Sequence, residues 1–553
     1  MRNKFKILLP LILLVLSGCE NSSSSGNLSS SVSTSEKQSE VISSSETSEV
    51  IPSSETSSSE EVPPVTSDEP LSSSEEIPPI TSEVSSNTSE EISSSSSEHF
   101  GDERTINFYG LNDFHGAIIE TDNEPGIFKY SSFLKEKITE NPGGTVHLNA
   151  GDFWQGSVES NLNRGEFLTK AMNELSLDAF ALGNHEFDWY DTAIMDNKAI
   201  ANYPFLGANI INKSTGELAQ SIVHYDDTFQ ASHMVNKNGV NIGIIGTIGS
   251  DLESSILGLA IADYSFEPVT SYVKNESLNL REQGADIVIL VTHDSLKNFT
   301  MSHTYNEYYD IFANEYVDAV FSGHQHVEDN RVLNGIPVLQ AWAYGGGVME
   351  LELNYNVRTK EKVFTHQAVR SGWDIKRYEE DPAMKALFAP YEDEIETVKN
   401  EVIGSLTSNI TKEGLLNLAN QVMYEYGVNA GLENIVVTHN RGGVRLNAGI
   451  SGGDVIFGDI YRAFPFDNEL MIIPNVLGSD LNRFIRGDYK GYPQGSYEAN
   501  KRYTLLTLDF MSYREGAFTL ELEQISTQAY IRDLIRDYFL SEGVVDANYF
   551  NSY

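Results

Sequence analysis

Residues 105–116 read TINFYGLNDFHG and give the first indication of the fold class. Its first half alternates apolar and polar side chains like a β-strand, and it runs directly into Asp113 and His115. The same order of strand and then polar side chains recurs downstream, with helical periodicity between the strands. Further strands are predicted at residues 145–149, 179–182, 242–245, 287–291 and 319–321, and helices at residues 127–138 and 167–175. The pattern predicts an α/β fold whose strands are buried on both faces.

Polar side chains follow the carboxyl ends of these strands, where open α/β sheets place their binding sites. The mixture of carboxylate, amide and imidazole suits zinc, manganese or iron better than magnesium or calcium. Each segment alone would be an ordinary surface loop or turn, so the inference rests on their occurring together in this order. The candidates are Asp113, His115, Asp152, Asn184, His185, His293, His324 and His326.

The spacing of these residues is suited to a pair of metal ions. His324 and His326 lie two residues apart after a strand, so they can reach neighbouring ions if the turn splays their side chains. Asp152 is the carboxylate that we expect to bridge both ions. Two ions about 3.5–4 Å apart can deprotonate a bridging water and hold phosphoryl oxygens. The sequence therefore predicts two divalent ions and leaves their identity open.

The combined motifs resemble those of the calcineurin-like metallophosphoesterase superfamily. The strings LNDFHG at residues 111–116 and GNHEFD at residues 183–188 are similar to its 5'-nucleotidase branch, and the resemblance covers about residues 103–550. It implies in-line attack of a metal-activated water on phosphorus. It also implies a ligand set for each ion: Asp113, His115, Asp152 and His326 for one, and Asp152, Asn184, His293 and His324 for the other.

The same resemblance gives His185 a catalytic role and excludes it from the metal ligands. His185 would stabilise the charged transition state or protonate the leaving oxygen, and Asp188 would orient its ring. One departure from the family pattern is Ser295, which stands where relatives usually carry glycine. This change removes no ligand.

A second region resembles the substrate-binding domain that is specific to 5'-nucleotidases. The motifs are NRGGVR at residues 440–445, GDIY at residues 458–461 and FPFDN at residues 464–468. Gly442 and Gly443 would let the backbone approach a ligand, and Arg445 offers a bidentate fork for phosphate. Phe466 offers a flat apolar face on which a base can stack. The plainer alternatives are a structural turn at the two glycines and a core role for Phe466.

The family resemblance also assigns contacts to residues whose surroundings have changed. It implies that Asn440 and Arg445 contact the nucleotide, and that Phe466 and Phe518 form the two halves of an aromatic clamp around the base. Lys412 stands where an arginine is often found, so a bidentate phosphate contact becomes a point charge. The glycine-rich loop that normally carries the second aromatic is largely lost before Phe518.

The N-terminus has the features of an export signal. A basic start precedes an apolar segment at residues 7–16, which is too short to span a membrane comfortably. The string LSGC at residues 16–19 is similar to the lipobox of bacterial lipoproteins, which implies cleavage before Cys19 and acylation of its sulfur. Such acyl chains would anchor the protein to the membrane. The alternative is a plain secretory signal with an incidental cysteine.

Residues 20–100 are rich in serine and carry sixteen acidic residues and one Lys37. Such a composition cannot bury enough apolar area to fold, so a disordered stalk is predicted, with an acidic tail that binds calcium or a partner as the alternative. The net charge of the chain is -43, which argues against nucleic-acid polymers as partners.

The predicted architecture combines two folded domains with terminal extras. The first folded domain is expected to be a metallophosphoesterase β-sandwich flanked by helices (α/β/β/α), and the second a smaller α/β substrate-binding domain. The predicted segments are a signal peptide at 1–18, the lipidated Cys19 and stalk at 19–102, the metallophosphoesterase domain at 103–375, a connecting helix with a possible break at Pro390 at 376–404, and the substrate-binding domain at 405–553.

Three functions are open at the level of sequence. The leading hypothesis is hydrolysis of nucleoside 5'-monophosphates, with di- and triphosphates and UDP-sugars as further candidates. The second is 2',3'-cyclic-nucleotide phosphodiesterase and 3'-nucleotidase activity, which uses the same metals and a different pocket. The third is a non-catalytic surface-binding lipoprotein. We expect an extracytoplasmic, lipid-anchored protein at the cell surface that is a monomer or a weak dimer.

Overall fold

The computed structural model describes residues 101–219, 229–514, 516–518 and 521–552. The predicted signal peptide, the lipidated Cys19 and nearly all of the predicted stalk lie outside these residues. The described part belongs to one compact unit. None of its helices is both long enough and apolar enough to cross a membrane.

Among the described residues, fourteen strands and seven α-helices precede the connecting segment. The strands are β1 (Glu103–Leu111), β2 (Thr145–Asn149), β3 (Ala179–Ala181), β4 (Phe205–Leu206), β5 (Ile210–Asn212), β6 (Ser232–Lys237), β7 (Val240–Ile248), β8 (Tyr264–Phe266), β9 (Ile287–His293), β10 (Ala319–Ser322), β11 (Asp329–Leu333), β12 (Ile336–Gln340), β13 (Gly347–Asn356) and β14 (Lys362–Ser371). The helices are α1 (Gly126–Glu140), α2 (Val158–Asn161), α3 (Glu166–Glu174), α4 (Tyr190–Ile200), α5 (Val269–Glu282), α6 (Tyr309–Ala313) and α7 (Gly372–Ile375).

Two six-stranded sheets form the centre of this part, with the orders β14-β13-β1-β2-β3-β4 and β11-β12-β10-β9-β7-β6. Strands β1 to β4 pair in parallel in the first sheet, and β7, β9, β10 and β12 pair in parallel in the second. The parallel strands therefore deliver their carboxyl ends to one edge of each sheet, where the predicted ligands follow.

The side chains of β9 show how the layers are held together. Alternate residues point to opposite faces of a strand. Ile287, Ile289 and Val291 pack into the core between the two sheets, while Val288 and Leu290 pack into the core beneath α5 and α6. A third core lies under α1, α3 and α4 on the outer face of the first sheet. The predicted order of layers, helix, sheet, sheet and helix, is confirmed.

The connecting segment contains helix α8 (Pro382–Lys399), which is shorter than the predicted helix at residues 376–404. Asp381 caps its first turn, and Phe388 and Ile395 bury its apolar face. The possible break at Pro390 is not realised. Proline removes one backbone donor inside a helix, but Pro390 is exposed, so water can serve the carbonyl that is left free.

The last part of the chain is a smaller α/β arrangement, as predicted. Its central sheet has the order β19-β16-β20-β18-β21, and a second sheet has the order β17-β15-β22. The strands are β15 (Val402–Leu406), β16 (Ile435–Asn440), β17 (Gly453–Ile456), β18 (Glu469–Leu477), β19 (Tyr489–Tyr492), β20 (Arg502–Leu508), β21 (Ile525–Tyr530) and β22 (Val544–Val545). The helices are α9 (Lys412–Asn429), α10 (Phe457–Ala463), α11 (Gly478–Phe484), α12 (Asp509–Ser512), α13 (Ile531–Glu542) and α14 (Ala547–Asn551).

Candidate metal centre

The seven predicted ligands converge at the carboxyl ends of the parallel strands. Six of them form two groups whose donor atoms lie within 4.8 Å of one another, one made of Asp113, His115 and His326 and the other of Asp152, His293 and His324. In the first group, Nε2 of His115 lies 3.0 Å from Nε2 of His326. Two imidazole nitrogens at this distance, beside a carboxylate, are suited to sharing a cation.

Asp152 lies between the two groups. Its Oδ2 is 3.1 Å from Nε2 of His293 and 3.8 Å from Nε2 of His115. Asn184 completes the second group, because its Oδ1 lies 3.1 Å from both Nε2 of His293 and Nδ1 of His324. One carboxylate oxygen therefore faces ligands of both groups, which is the arrangement that the sequence led us to expect of Asp152.

The backbone of this centre adopts a conformation that is uncommon outside glycine. Five of the seven ligand residues have positive φ, with values between 48° and 77°: Asp113, His115, Asp152, His324 and His326. Such conformations are costly for residues with a Cβ and cluster at functional sites. Gly151, at φ 88°, is required for a further reason, since a Cβ there would lie 2.6 Å from Nδ1 of His293. The sharp turns let successive side chains point into one centre.

Hydrogen bonds to backbone carbonyls fix the orientation of two imidazole rings. Nδ1 of His115 donates to the carbonyl of Gln155 at 2.9 Å, and Nδ1 of His293 donates to the carbonyl of Ala150 at 2.7 Å. Each contact leaves Nε2 facing the centre, which is how metal-ligating histidines are usually oriented. Burial lowers the pKa of His115 well below its usual value, so its ring is held neutral and able to bind a metal.

Two further residues hold the ligand loops together, and their roles are evident only in the structure. Glu186 accepts hydrogen bonds from the backbone N–H groups of Asp152, Phe153 and Gly183, all at 2.8 Å. Asn112 donates to Oδ2 of Asp113 at 2.6 Å. Glu186 belongs to the GNHE motif and Asn112 to the LNDFHG motif. Both residues therefore lie in motifs that the sequence shows, although no role was predicted for either.

Ser295 leaves the centre unchanged although relatives usually carry glycine there. Its hydroxyl donates to Oε1 of Gln340 at 2.9 Å, and its N–H donates to Oδ1 of Asp294. The side chain is therefore held by neighbours on the far side of the ligand His293. This agrees with the expectation that the departure removes no ligand.

His185 lies beside the metal groups and faces the second part of the chain. Its Nδ1 contacts Oδ2 of Asp188 at 2.8 Å, and its Nε2 lies 2.9 Å from Nη2 of Arg445. The ring also stacks on Phe466 with a centroid distance of 5.2 Å and an interplanar angle of 24°. Burial lowers the pKa of His185, but the carboxylates of Asp188 and Asp152 raise it, and the net shift is upward. A guanidinium only donates hydrogen bonds, so Nε2 of His185 accepts from Arg445 in this arrangement and Nδ1 carries the ring proton towards Asp188.

An open cavity of about 890 Å³ extends from the metal centre between the two parts of the chain. It joins residues of both predicted domains and is the place where a substrate can meet the metal ligands. The predicted site residues that line it are Asn184, His185, Asp188, His324, Asn440, Gly442, Gly443, Arg445 and Phe466. Residues that were not predicted are Ser255, Leu257, Asp467, Asn468, Asp509 and Phe510.

Phe518 and Lys412 are not among the described residues that line the cavity. Phe518 packs on Phe484 with a centroid distance of 5.2 Å, and Nζ of Lys412 donates to Oδ1 of Asn447 at 2.9 Å. The structure therefore does not bring Phe518 together with Phe466 at this cavity. Phe510, at the start of the same connection, lines the cavity instead.

Two polar groups of the cavity wall, one amide and one carboxyl, can form hydrogen bonds with a ligand. Oδ1 of Asn440 is buried and has no hydrogen-bond partner among the described residues. Asp509 begins helix α12, where burial and then the charges of Glu469 and Asp188 raise the pKa of its carboxyl to about 7. Gly443 is needed for packing, because a Cβ there would lie 2.7 Å from Oδ1 of Asn440.

Comparison with known proteins agrees with this geometry. Residues 106–328 match the calcineurin-like phosphoesterase family. Endonuclease YhcR of Bacillus subtilis is 25% identical over 413 residues, which cover 69% of this chain and 32% of that protein. A 5'-nucleotidase of Vibrio cholerae is 26% identical over 405 residues, which cover 65% of this chain and 71% of that protein.

A solved structure extends the likeness beyond the first domain. The 5'-nucleotidase precursor from Thermus thermophilus superposes with a TM-score of 0.64 at 17% identity, covering 80% of this chain and 97% of that one. At this identity the superposition bears on the fold alone. The chain therefore carries a calcineurin-like phosphoesterase domain at residues 106–328 and is similar to 5'-nucleotidases over about two thirds of its length. These findings support a metal-dependent phosphoester hydrolase.

The candidate ligands fit the divalent metals on which calcineurin-like phosphoesterases depend. The donors are carboxylates, an amide oxygen and imidazoles, which suit borderline divalent ions. All but two of the seven are almost fully buried, and His324 and His326 are half-buried towards the cavity. A buried cluster of this composition is stabilised when a cation balances the carboxylates.

Proposed function

We propose that this protein releases phosphate from nucleoside 5'-monophosphates with the help of two divalent ions. The observation that supports this most directly is the cavity that joins Asn184 and His324, two ligands of the second group, to Asn440, Arg445 and Phe466. A nucleotide has an anionic end and a flat end, and this cavity offers metal ligands at one place and an aromatic face at another. Di- and triphosphates and UDP-sugars are further candidate substrates at the same centre.

The proposed ligand sets follow the two groups. Asp113, His115, Asp152 and His326 would hold one ion, and Asp152, Asn184, His293 and His324 the other. When bound, two such ions activate water and stabilise charge on phosphoryl oxygens. Asp152 supports the pair because its Oδ2 faces ligands of both groups. Zinc, manganese and iron are the candidates that its donors favour.

His185 and Asp188 form the proposed catalytic pair. Asp188 accepts from Nδ1 of His185 at 2.8 Å, which fixes the ring and leaves Nε2 directed into the cavity. A protonated Nε2 can donate to the leaving oxygen or to the charged phosphoryl group. Arg445 shares this position, since its Nη2 lies 2.9 Å from the same nitrogen, so its guanidinium is within reach of the same phosphoryl group.

The base would be held by aromatic side chains in the second domain. Phe466 carries the guanidinium of Arg445 over its ring at 5.0 Å and lines the cavity together with Phe510. We therefore assign the second half of the clamp to Phe510 in place of Phe518. Asn440 supplies an amide whose oxygen is free of partners within the described part of the chain. Gly442 and Gly443 form the neighbouring cavity wall.

The cellular setting that we propose rests on the N-terminal sequence. Cleavage after residue 18 and lipidation of Cys19 would anchor the enzyme to the outer face of a membrane through the stalk at residues 19–102. The enzyme would then consist of a catalytic domain at 103–375, a connecting helix at 376–404 and a substrate-binding domain at 405–553. Nucleotides outside the cytoplasm would be its substrates. A monomer or weak dimer is proposed.

A panel of phosphate esters tests the proposed reaction. Phosphate release would be measured with Mn²⁺ or Zn²⁺ from AMP, UMP, ADP, ATP, UDP-glucose, 3'-AMP and 2',3'-cyclic AMP, with a coupled phosphatase where the product is a monoester. Preference for 5'-phosphorylated substrates is expected. Preference for the cyclic or 3' compounds would replace the proposed substrate class and keep the metal centre. No turnover of any compound, with metals bound, would contradict the proposal.

A further inference from the structure

The loop that carries Phe466 is organised around one buried cation from the C-terminal part of the chain. Arg532, in the first turn of α13, is 6% exposed. Its Nη1 lies 3.2–3.3 Å from the carbonyl oxygens of three successive residues, and its Nη2 donates to Oδ1 of Asp467 at 2.6 Å. The three carbonyls belong to Phe464, Pro465 and Phe466. A single guanidinium therefore gathers four acceptors of the loop at residues 464–468.

The guanidinium is itself fixed in place by an aromatic ring. Its central carbon lies 3.8 Å from the centroid of the Tyr461 ring, and Tyr461 belongs to α10, which leads into the loop. A planar guanidinium held on one face by a ring keeps its N–H groups in one plane. A lysine ammonium has neither this shape nor this number of donors, so Arg532 is suited to holding several carbonyls at once.

The same loop is also held by side chains of the first domain. Nδ2 of Asn161 donates to the carbonyl of Pro465 at 2.8 Å, and Nε1 of Trp189 donates to Oδ2 of Asp467 at 3.2 Å. Asp467 thus uses one oxygen for Arg532 and the other for Trp189. Side chains of both domains therefore hold the loop by hydrogen bonds, and Phe466, at the centre of the loop, stacks on His185.

We propose that Arg532 is a positioning residue that holds Phe466 in the orientation in which it stacks on the base. Arg532 is not among the described residues that line the cavity, so it acts through the loop and not through contact with substrate. The inference rests on the proposed nucleotide hydrolysis. It predicts that loss of the guanidinium weakens binding of the nucleoside half of the substrate while the metal centre and the phosphate contacts are unchanged.

A purely structural role is the alternative, because Arg532 and Asp467 form a buried ion pair, and breaking such a pair destabilises a fold. The two roles differ in their kinetic consequences. A general loss of folded protein lowers activity on every ligand alike. A displaced Phe466 raises the concentrations of AMP and adenosine that are needed for binding and leaves inorganic phosphate unaffected.

Arg532→Met and Arg532→Lys in the full-length protein separate these roles. The measurements are KM and kcat for AMP and the inhibition constants of adenosine and of inorganic phosphate, which probe the two ends of the site separately. Both variants should raise the KM of AMP and the inhibition constant of adenosine by about three- to tenfold, the range expected for one aromatic stacking contact. The kcat and the inhibition constant of phosphate should not change.

Arg536→Met is the matched control. Arg536 lies four residues further along the same helix, forms a bidentate ion pair with Glu401 at 2.6 Å and stacks over Phe457, away from the loop. It should leave both inhibition constants unchanged even if it lowers thermal stability.

Each outcome decides for or against the assignment. Arg532 has no positioning role if its variants raise the inhibition constants of adenosine and of inorganic phosphate equally. The same holds if they raise neither inhibition constant. If Arg532→Met does not fold, Arg532→Lys, which keeps the positive charge and most of the side-chain length, carries the same test. An unaltered protein that does not hydrolyse AMP would overturn the proposed function and this inference with it. If the unaltered protein hydrolyses AMP and the Arg532 variants have the same KM for AMP and the same inhibition constant for adenosine, this inference alone is overturned.

Discussion

At the scale of single residues, the centre depends on a few side chains in unusual backbone positions. The sequence predicted the seven candidate ligands that the structure brings together, because their chemical types and their places after strands can be read from the sequence alone. It could not reveal that five of them adopt positive φ, since that follows from the contacts around each turn. Nor could it assign Glu186 to the three N–H groups that it holds, because these lie on separate loops.

His185→Ala tests the separation of catalytic residue from metal ligands. Loss of the proton donor should lower kcat on the order of 10²–10⁴-fold and leave the metal content unchanged. Steady-state kinetics and elemental analysis of the same preparation provide the measurements. Asp188→Asn is the companion variant. Its kcat should lie between those of the unaltered protein and of His185→Ala, because the substitution disturbs only the orientation of the His185 ring. Loss of metal from His185→Ala would show that His185 is a ligand.

The carboxyl of Asp509 makes stability depend on pH. Burial and the charges of Glu469 and Asp188 raise its pKa from 3.8 to about 7 in the folded protein. Between these values the folded state binds more protons than the unfolded state, so this contribution to stability is present below about pH 4 and is lost as pH rises through 7. Asp509→Asn should therefore raise Tm more at pH 8 than at pH 5. An equal change at both values would contradict the raised pKa.

At the scale of helices and strands, periodicity predicted the first domain closely. The predicted strand at residues 145–149 is β2, and the helix predicted at 127–138 is the core of α1. Predictions were less accurate where local signals compete with packing. Pro390 indicated a break, yet the buried face of α8 keeps the helix continuous. Phe518 was placed by its spacing from a loop motif, but the short helix α12 brings Phe510 to the cavity instead.

Pro390→Ala should stabilise the protein. Proline inside a helix costs about 3 kcal/mol relative to alanine, and the greater freedom of the unfolded chain offsets up to about 1 kcal/mol of the gain. A net increase of about 1–3 kcal/mol in the free energy of unfolding is expected from denaturant titration. Pro382→Ala, at the start of the same helix, is the control and should change stability little, because proline is favoured there. Equal effects of both variants would contradict this explanation.

At the scale of the whole molecule, the site is built where the two parts of the chain meet. Arg445 and Phe466 reach His185 from the second domain, and Asn161 and Trp189 reach the loop of Phe466 from the first. Sequence reasoning predicted both domains and most of the residues that line the cavity. It could not predict these contacts, because they join segments about 260 to 300 residues apart with no shared local pattern.

The number of metal ions per chain tests the central claim most directly. The protein would be loaded with Mn²⁺ or Zn²⁺, dialysed, and analysed for metal and for phosphate release from AMP in parallel with Asp152→Asn. We predict about two tightly bound ions per unaltered chain, with activity that follows occupancy. Asp152→Asn should lose at least one ion and nearly all turnover while the fold is kept, because Asp152 faces both ligand groups. A chain that binds no metal, or an Asp152→Asn variant with full metal content and full activity, would contradict the two-metal account.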